Sequence, residues 1–229
     1  MVENDAKRAA AEAAVAEVES GMLIGLGTGS TAAFAITALG RRIAQGLRVS
    51  AVATSLATEV SARAAGIPLL PFEDCAAVDL AIDGADQIDP QYRAIKGGGG
   101  ALLREKIVAA SATRMICIVD PTKQVAALDR ALPIEVLPFA RGFVARAVRA
   151  LGGDPVLRPS REGSGPARSD QGNFLYDCHF GRIANPEELA ARLDAVPGLL
   201  GHGLFLTEID ALFVGKPHGV MRHERDLDL

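Results

Sequence analysis

Short apolar runs alternate with segments of helical spacing along the first half of the chain. The runs are MLIGL (22–26), RVSAVA (48–53), IPLL (67–70), VDLAI (78–82) and RMICIV (114–119). Each has the length and the apolar content of a buried strand, and the segments between them repeat alanine, valine and leucine with a helical period. Strands that alternate with helices in this way predict an α/β fold with a doubly wound, mostly parallel sheet.

The pattern changes near Pro133, where a different order of elements begins. The segments IEVL, ARGFVARAVRAL, PVLR, NFLYDCHF, PEELAARLDAV and LFLT follow in that order, with a long polar hairpin loop over residues 159–172. This is the strand–helix–strand–strand–helix–strand order of a smaller ferredoxin-like α+β domain. The run IDALFVG (209–215) is predicted to return to the first sheet. The expected domains are therefore 1–130 plus 207–229, and 131–206.

Composition and charge exclude several classes of protein. Hydrophobic residues form 49% of the 229 positions, so there is ample material for a core. A net charge of −4 argues against a nucleic-acid partner. The N-terminal segment resembles no signal peptide, and no apolar run reaches the roughly 18 residues of a membrane span. Three distant cysteines in apolar surroundings indicate reduced core residues. We expect a cytoplasmic protein without a membrane partner.

The segment GLGTGST (25–31) follows the first predicted strand and opens a helix. Such a turn offers backbone N–H groups to an anion, and Thr28, Gly29, Ser30 and Thr31 add hydroxyls and close backbone approach. The Walker lysine is missing, and no acid follows about 20 residues later as a dinucleotide site requires. A monophosphate cradle therefore fits better than a nucleotide site, and a plain capped glycine turn is the alternative. The hydroxyls of TSLAT (54–58) end the neighbouring strand.

The stretch LAIDGADQIDPQYRAIKGGGGALLREK (80–106) concentrates the candidate chemistry. Asp83 and Asp86 follow a buried strand, where they could bind a metal, hold sugar hydroxyls or cap a turn. No clustered histidine accompanies them, and the Asp-Pro pair makes Asp89 a turn residue. Lys96 precedes four glycines that can present free N–H groups to a developing oxyanion. Glu105 lies in the next helix, where the alternative is an ordinary exposed face.

These groups suit proton transfer beside a carbonyl. In an aldose–ketose interconversion, a carboxylate base moves a proton from C2 to C1, and the enediolate between them needs positive charge or N–H donors. A phosphate cradle contributes binding energy that positions the reacting carbons. The reaction requires no cofactor: neither a metal, a flavin nor a nucleotide is needed.

The motifs GLGTGST, DGAD, KGGGGALLREK and D-x-x-K (120–123) together resemble those of the type A ribose-5-phosphate isomerases. The similarity continues through PIEVLPFAR, LGGDP and DQGNFLYDCHFG. The resemblance implies a Rossmann-like domain with a smaller ferredoxin-like domain, a homodimer, and interconversion of D-ribose 5-phosphate and D-ribulose 5-phosphate in the non-oxidative pentose phosphate pathway. Two positions depart from the family pattern, because Gln87 and Gln171 stand where Glu and Asn are usual.

The same resemblance implies a role for each candidate residue. Glu105 matches the catalytic base, and Asp83 matches a loop acid that assists ring opening. Lys96 matches a lysine that steadies the enediolate. The full substrate-binding set is Thr28, Gly29, Ser30, Thr31, Asp83, Gly84, Ala85, Asp86, Lys96, Gly97, Gly98, Gly99 and Lys123. Lys7 lies where the family often has a lysine near the phosphate.

Other functions of this fold stay open at the level of sequence. A related enzyme could be a sugar-phosphate deaminase or a CoA transferase. A sugar-phosphate sensor without catalysis is the alternative from another class, although an acidic chain of 229 residues leaves little room for a DNA-binding domain.

Overall fold

The computed structural model describes residues 2–160, 163–216 and 219–225. The parts of the expected hairpin loop at 161–162 and of the C-terminal segment at 217–218 and 226–229 lie outside the described residues. The helices are α1 (Val2–Ala16), α2 (Ser30–Ala44), α3 (Leu56–Ala64), α4 (Leu102–Ala110), α5 (Arg141–Ala150) and α6 (Pro186–Asp194). The strands are β1 (Leu23–Leu26), β2 (Ser50–Ala53), β3 (Val78–Asp83), β4 (Gln87–Ile88), β5 (Ala94–Ile95), β6 (Ala112–Val119), β7 (Leu132–Val136), β8 (Asp154–Leu157), β9 (Phe174–His179), β10 (Leu199–His202), β11 (Leu204–Phe205), β12 (Ala211–Lys216) and β13 (Gly219–Glu224).

The chain divides into two units, of which the first comprises residues 1–85, 104–124 and 207–229. Its sheet has the order β13-β12-β6-β3-β1-β2, and all neighbours are parallel except the β12–β13 pair. The parallel strands β3 and β6 are mostly buried, as expected for the interior of a parallel sheet. The predicted α/β class with a parallel central sheet is confirmed.

Two details of this sheet differ from the sequence prediction. The run IPLL (67–70) forms no strand, since only Leu69 makes an isolated bridge, to Ala51. An additional strand, β13, pairs antiparallel with β12 at the edge of the sheet. Its side chains are exposed or half-buried and include Arg222 and Glu224. Charged side chains of this kind protect an edge strand from pairing with other chains. Because they interrupt the apolar run, the sequence did not predict this strand.

The carboxyl ends of the parallel strands lie along one edge of the first sheet. Leu26 at the end of β1 is level with Ala53 at the end of β2 and with Ile82 in β3. Asp83 in turn is level with Cys117 in β6. The turns that follow these strands therefore emerge together, at the edge where open α/β sheets bind their ligands.

The second unit comprises residues 86–103 and 125–206. Strands β7, β8, β9 and β10 and helices α5 and α6 follow in the predicted order, and the antiparallel sheet has the order β10-β7-β9-β8. This is a ferredoxin-like arrangement over its own apolar core. The fourth strand of the sheet is Leu199–His202, rather than the predicted LFLT (204–207).

A three-stranded antiparallel sheet of order β11-β5-β4 completes the second unit. Leu204 pairs with Ile95, and Ile95 pairs with Gln87. Leu204 and Phe205 of the LFLT run pair with β5 in this sheet, and the run is therefore not a strand of the four-stranded sheet. Residues 86–103 belong to the second unit, whereas the expected boundaries place them in the first domain. Such two-residue strands are too short to give a period in the sequence.

Candidate functional site

Asp83, the last residue of β3, is a buried carboxylate held by backbone amides. Its side chain is 4% exposed, and Oδ1 accepts hydrogen bonds from the N–H of Thr28 (3.1 Å) and of Gly84 (2.7 Å). Gly27 makes this possible, because a Cβ at residue 27 would lie 1.9 Å from Asp83 Oδ1. The structure therefore brings the turn after β1 and the first aspartate of the DGAD motif into direct contact.

The hydroxyls of the two Ser/Thr segments meet in one cluster within the first unit. Thr28 Oγ1 lies 2.9 Å from Thr54 Oγ1, 2.8 Å from Ser55 Oγ and 3.0 Å from Thr58 Oγ1. Thr58 Oγ1 donates in turn to the carbonyl of Gly27 at 2.8 Å. These hydroxyls bind one another and the backbone, so they hold the shape of the turn, and Thr28 contributes to the site by fixing that turn.

Helix α2 begins at Ser30, and its N-cap residue is a glycine, which has no side chain to cap the first amides. The preceding residue, Gly29, has φ +120°, a left-handed conformation that favours glycine, and makes no side-chain hydrogen bond as a cap. Gly29 and Ser30 are exposed, while Thr31 is 9% exposed. The first amides of a helix carry a partial positive charge and seek acceptors, so this end of α2 is suited to an anion.

Asp86 binds the glycine loop inside the second unit. Its Oδ2 accepts a hydrogen bond from the N–H of Gly98 at 2.8 Å, and its own N–H donates to the carbonyl of Ile95. A Cβ at Gly98 would lie 2.7 Å from Asp86 Oδ1, so the close approach depends on glycine. Asp86 is half-buried, and beyond its place in a turn its carboxylate accepts a hydrogen bond from the backbone of the glycine loop.

Lys96 is one of the most buried large side chains of the second unit, with 2% exposure. Its Nζ lies 5.2 Å from the centre of the Phe205 ring, a distance at which a cation is attracted to the ring face. Its N–H donates to the carbonyl of Gly203 at 2.9 Å, which fixes the backbone where β5 enters the glycine loop. Burying an ammonium group is costly, and this cost is characteristic of a functional lysine.

Glu105 lies in the first turn of α4 and is only 4% exposed. The alternative of an ordinary exposed helix face is therefore wrong for this residue. The neighbouring Lys106 is half-buried, and its Nζ lies 4.0 Å from Glu208 in a weak ion pair. Ionisable side chains removed from water are concentrated at active sites, and the burial of this carboxylate makes Glu105 the leading candidate for a base.

Lys123 ends a 3-10 turn, Pro121–Lys123, that follows β6. Asp120 caps this turn, since its Oδ1 accepts from the N–H of Thr122 at 2.8 Å and from the Thr122 hydroxyl. Asp120 is 1% exposed, and its Oδ2 has no hydrogen-bond partner among the described residues. Lys123 is a predicted substrate contact, whereas the sequence predicts no role for Asp120; the signal that could have found Asp120 is an aspartate directly after a buried strand.

Two other acidic or amide positions of the stretch have structural tasks. Asp89 accepts from the N–H groups of Gln91 and Arg93 and forms an ion pair with Arg93 at 2.7 Å, as expected for a turn residue. Gln87 accepts from the N–H groups of Asp129 (3.0 Å) and Arg130 (2.9 Å), and its Nε2 donates to Asp129 Oδ1 at 2.6 Å. A glutamate at 87 would place its carboxylate against that of Asp129.

The Gln87–Asp129 contact gives the first prediction. Gln87→Glu should lower the free energy of unfolding by about 1 kcal/mol at neutral pH, because one donor becomes a like charge. Thermal unfolding at pH 5 and pH 8 measures the effect, which should be larger at pH 8. Asp129→Asn in the same chain should restore stability, and an undiminished stability of the single variant would contradict the assigned contact.

Three further observations bear on the kind of site. No described helix combines the length and the apolar character that crossing a bilayer requires. Within residues 2–160, 163–216 and 219–225, no three His, Cys, Asp or Glu side chains are grouped as metal ligands. Burial raises the pKa of the Cys178 thiol to about 12, so this cysteine is an inert core residue, and Cys117 is equally buried.

Comparison with known proteins identifies the family. A family model described as ribose 5-phosphate isomerase A (phosphoriboisomerase A) matches residues 50–219. The ribose-5-phosphate isomerase A of Sphingopyxis alaskensis is 52% identical over 211 residues, which cover 92% of this chain and 92% of the relative. The chain belongs to the ribose 5-phosphate isomerase A family. Its members are aldose–ketose isomerases, so the resemblance stated from the motifs is confirmed.

Solved structures of ribose 5-phosphate isomerases have the same fold. That of ribose 5-phosphate isomerase A from Methanocaldococcus jannaschii is 38% identical with a TM-score of 0.91, covering 95% of this chain and 97% of that chain. A D-ribose-5-phosphate isomerase in complex with phospho-erythronic acid is 36% identical with a TM-score of 0.94, covering 98% and 100%. Membership of this family selects the isomerase over the deaminase, the CoA transferase and the sensor.

Proposed function

We propose that the chain interconverts D-ribose 5-phosphate and D-ribulose 5-phosphate with Glu105 as the base. The family membership supports the reaction. The observation that carries the residue assignment is the burial of Glu105, a carboxylate with 4% exposure in the helical turn that follows the glycine loop. A carboxylate removed from bulk water interacts more strongly with the charge that develops on the substrate.

Glu105 takes the proton from C2 of the open-chain aldose and returns it to C1. The electron pair of the broken C2–H bond forms the C1=C2 bond, and the carbonyl oxygen at C1 gains negative charge. A second proton passes from the hydroxyl at C2 to the charged oxygen at C1, which becomes a hydroxyl. As C1 takes the proton back from Glu105, the C1=C2 electron pair forms the new C1–H bond and the oxygen at C2 becomes the carbonyl of the ketose. Lys96 and the N–H groups of Gly97 and Gly99 stabilise the charged oxygen of the enediolate, which is the largest electrostatic demand of the reaction. The N–H of Gly98 donates to Asp86 and orders the loop.

The two aspartates of the DGAD motif divide the work on the sugar. Asp83 is the acid–base group for ring opening, since its Oδ1 is fixed by two backbone amides and its position is well defined. Asp86 orders the glycine loop through Gly98 and accepts from a sugar hydroxyl with its other oxygen. Gly84 and Ala85 lie between them and contribute backbone contacts.

The phosphate is assigned to the start of α2. The amides of Gly29, Ser30 and Thr31 supply N–H donors at a helix N-terminus whose N-cap residue is a glycine, which suits a dianion. Thr28 supports them through the hydroxyl cluster, and Lys123 contributes positive charge from the turn after β6. Lys7 is 7% exposed and pairs with Glu3 at 2.5 Å, so we propose no direct role for it.

The analogue found in the solved relative supports this chemistry. Phospho-erythronic acid is bound by that relative. Its carboxylate presents two anionic oxygens next to a hydroxyl-bearing carbon, as an enediolate does, and its phosphate matches that of the substrate. We infer that the same acid binds this chain in place of the reaction intermediate.

The cellular setting is part of the same proposal. We propose a cytoplasmic homodimer that serves the non-oxidative pentose phosphate pathway without a metal ion, without a nucleic-acid partner and without a membrane partner. The family resemblance supports the dimer. Sedimentation velocity of the purified chain measures it, and a single species of monomer mass at micromolar concentration would refute it.

Hydrogen exchange into the product tests the proposed reaction directly. With ribulose 5-phosphate in D2O, NMR should show deuterium appearing at one prochiral position of C1 while the pentose pool equilibrates. The rate should be the same in EDTA, because no step uses a metal. Binding without exchange would point to a sensor, and release of ammonia from an aminosugar phosphate would point to the deaminase.

A further inference from the structure

One arginine of the second unit contacts the glycine loop, and nothing in the proposed reaction yet uses it. Arg158 follows β8, and its Nη1 donates to the carbonyl oxygens of Gly97 (3.1 Å) and Gly98 (3.4 Å). An arginine offers five N–H donors in a planar fork, so it can hold two neighbouring carbonyls and still bind a carboxylate.

The orientation of Arg158 is itself fixed by the sheet. Its Nε and Nη2 donate to the two oxygens of Asp177 in β9, at 2.9 Å and 2.6 Å. Its backbone N–H donates to the carbonyl of Leu175 at 2.9 Å. The Arg158 side chain is 15% exposed, which makes this bidentate pair stronger and less mobile than a surface ion pair. The guanidinium is therefore a rigid extension of the four-stranded sheet.

The peptide group that joins Gly97 to Gly98 is held at both ends. Its carbonyl accepts from Arg158, and its N–H donates to Asp86 Oδ2 at 2.8 Å. A peptide of glycines has no side chain to restrict its rotation, so an untethered loop would lose much conformational entropy when it orders around a substrate. The two contacts remove that freedom before the substrate binds.

The next peptide group, between Gly98 and Gly99, is turned by the same arginine. Its carbonyl faces Arg158 at 3.4 Å, and a trans peptide directs its N–H to the opposite side. Gly99 is exposed, and among the residues that the structure describes its amide has no acceptor. This N–H is a preoriented donor, which is what stabilisation of a developing oxyanion requires.

We propose that Arg158, held by Asp177, is a positioning residue that orients the Gly99 N–H toward the oxygen that becomes charged in the enediolate. The inference rests on the proposed isomerisation, and it assigns to the Arg158–Asp177 pair a function in turnover in addition to any contribution to stability. The alternative is a cross-strand ion pair that stabilises the sheet and has no effect on the reaction.

Two variants distinguish a positioning role in turnover from a purely structural ion pair. Arg158→Lys keeps the positive charge and removes the planar guanidinium, and Asp177→Asn keeps the arginine and removes its carboxylate partner. For both we expect kcat for ribose 5-phosphate to fall by about 100-fold, the effect typical of losing one oxyanion donor, with KM within about threefold of the wild type. Inhibition by phospho-erythronic acid should weaken by about the same factor as kcat/KM, while inhibition by inorganic phosphate stays unchanged.

Arg168→Lys is the matched control. Arg168 also donates to a glycine carbonyl, that of Gly172, at 2.6 Å, and it stacks on Phe174. It does not contact the glycine loop of residues 97–100. This variant should keep kcat within about twofold of the wild type, even if its melting temperature falls by a few degrees.

The outcomes are distinguishable from a failure of the proposed function. If the wild-type chain shows no deuterium exchange, the proposed reaction is wrong. If the wild type exchanges and both variants keep kcat while losing only stability, the positioning role is overturned. Equal losses of affinity for phosphate and for phospho-erythronic acid would also overturn it. Should both variants unfold, a crystal structure of the wild type with phospho-erythronic acid decides, because the Gly99 nitrogen must lie within about 3.2 Å of the carboxylate.

Discussion

Glu105→Gln should fold normally and bind phosphorylated ligands, yet its turnover of ribose 5-phosphate should fall by about 10³-fold or more. The amide has the shape of the carboxylate but cannot accept the C2 proton. Glu105 is 4% exposed, so the isosteric change leaves the packing of α4 intact. A coupled assay gives kcat, and titration with phospho-erythronic acid should give a dissociation constant within about threefold of the wild type.

Glu59→Gln is the control for that experiment. Glu59 lies in α3, is 39% exposed and pairs with Arg63 at 2.8 Å, so neutralising it removes only a surface ion pair worth at most about 1 kcal/mol. Its turnover should match the wild type. A Glu105→Gln enzyme that kept near-native turnover, or deuterium exchange at the native rate, would transfer the role of base to another carboxylate, and Asp83 would be tested next.

Gly27→Ala should cause the second large loss. The added Cβ would lie 1.9 Å from Asp83 Oδ1 and 2.4 Å from Asp83 Cβ, so the aspartate or the turn after β1 must move. A shift of about 1 Å in a catalytic group can cost about 100-fold in rate. We expect a fall of that size in kcat/KM, together with a loss of about 1–3 kcal/mol in the free energy of unfolding.

Gly142→Ala controls for the extra methyl group. Gly142 lies in α5, and a Cβ there meets nothing within 4 Å, so alanine should stabilise the helix by about 0.5–1 kcal/mol. Its activity should be unchanged. Urea unfolding and steady-state kinetics on both variants make the comparison. A Gly27→Ala enzyme with native kcat/KM would mean that Asp83 does not need its observed position.

Most of the fold was predictable from the sequence, because most helices and strands have a recognisable hydrophobic period and end at glycine, proline or capping residues. Apolar runs such as VDLAI and RMICIV become β3 and β6, and the IDALFVG run returns to the first sheet as β12. The shortest strands were not predicted, because they are too short to show a hydrophobic period. Strands β4, β5 and β11 have two residues each, so they are defined by pairing with one another rather than by local preference.

The candidate site was predictable in its residue types and not in its contacts. Local sequence pointed to Asp83 and Lys96, and the family resemblance pointed to Glu105, whose spacing alone favoured an exposed helix face; all three residues are buried. The sequence could not show that the Thr28 hydroxyl forms hydrogen bonds with those of Thr54, Ser55 and Thr58, because these residues lie 26–30 positions away along the chain. For the same reason Arg158 was missed: an arginine in a strand pattern has no signature until its carbonyl partners are known.

The hydrogen bonds that fix Asp83 determine which amino-acid substitutions the end of β3 and the neighbouring turn can tolerate. Main-chain amides of Thr28 and Gly84 donate to its carboxylate, and every residue type except proline has such an amide. In the turn after β1 the carboxylate also requires an empty space, which the missing side chain of Gly27 supplies. Substitutions at the two positions would thus act differently: a side chain at residue 27 would displace Asp83 directly, whereas a new side chain at residue 28 would keep the amide donor and remove the hydroxyl contacts that hold the turn.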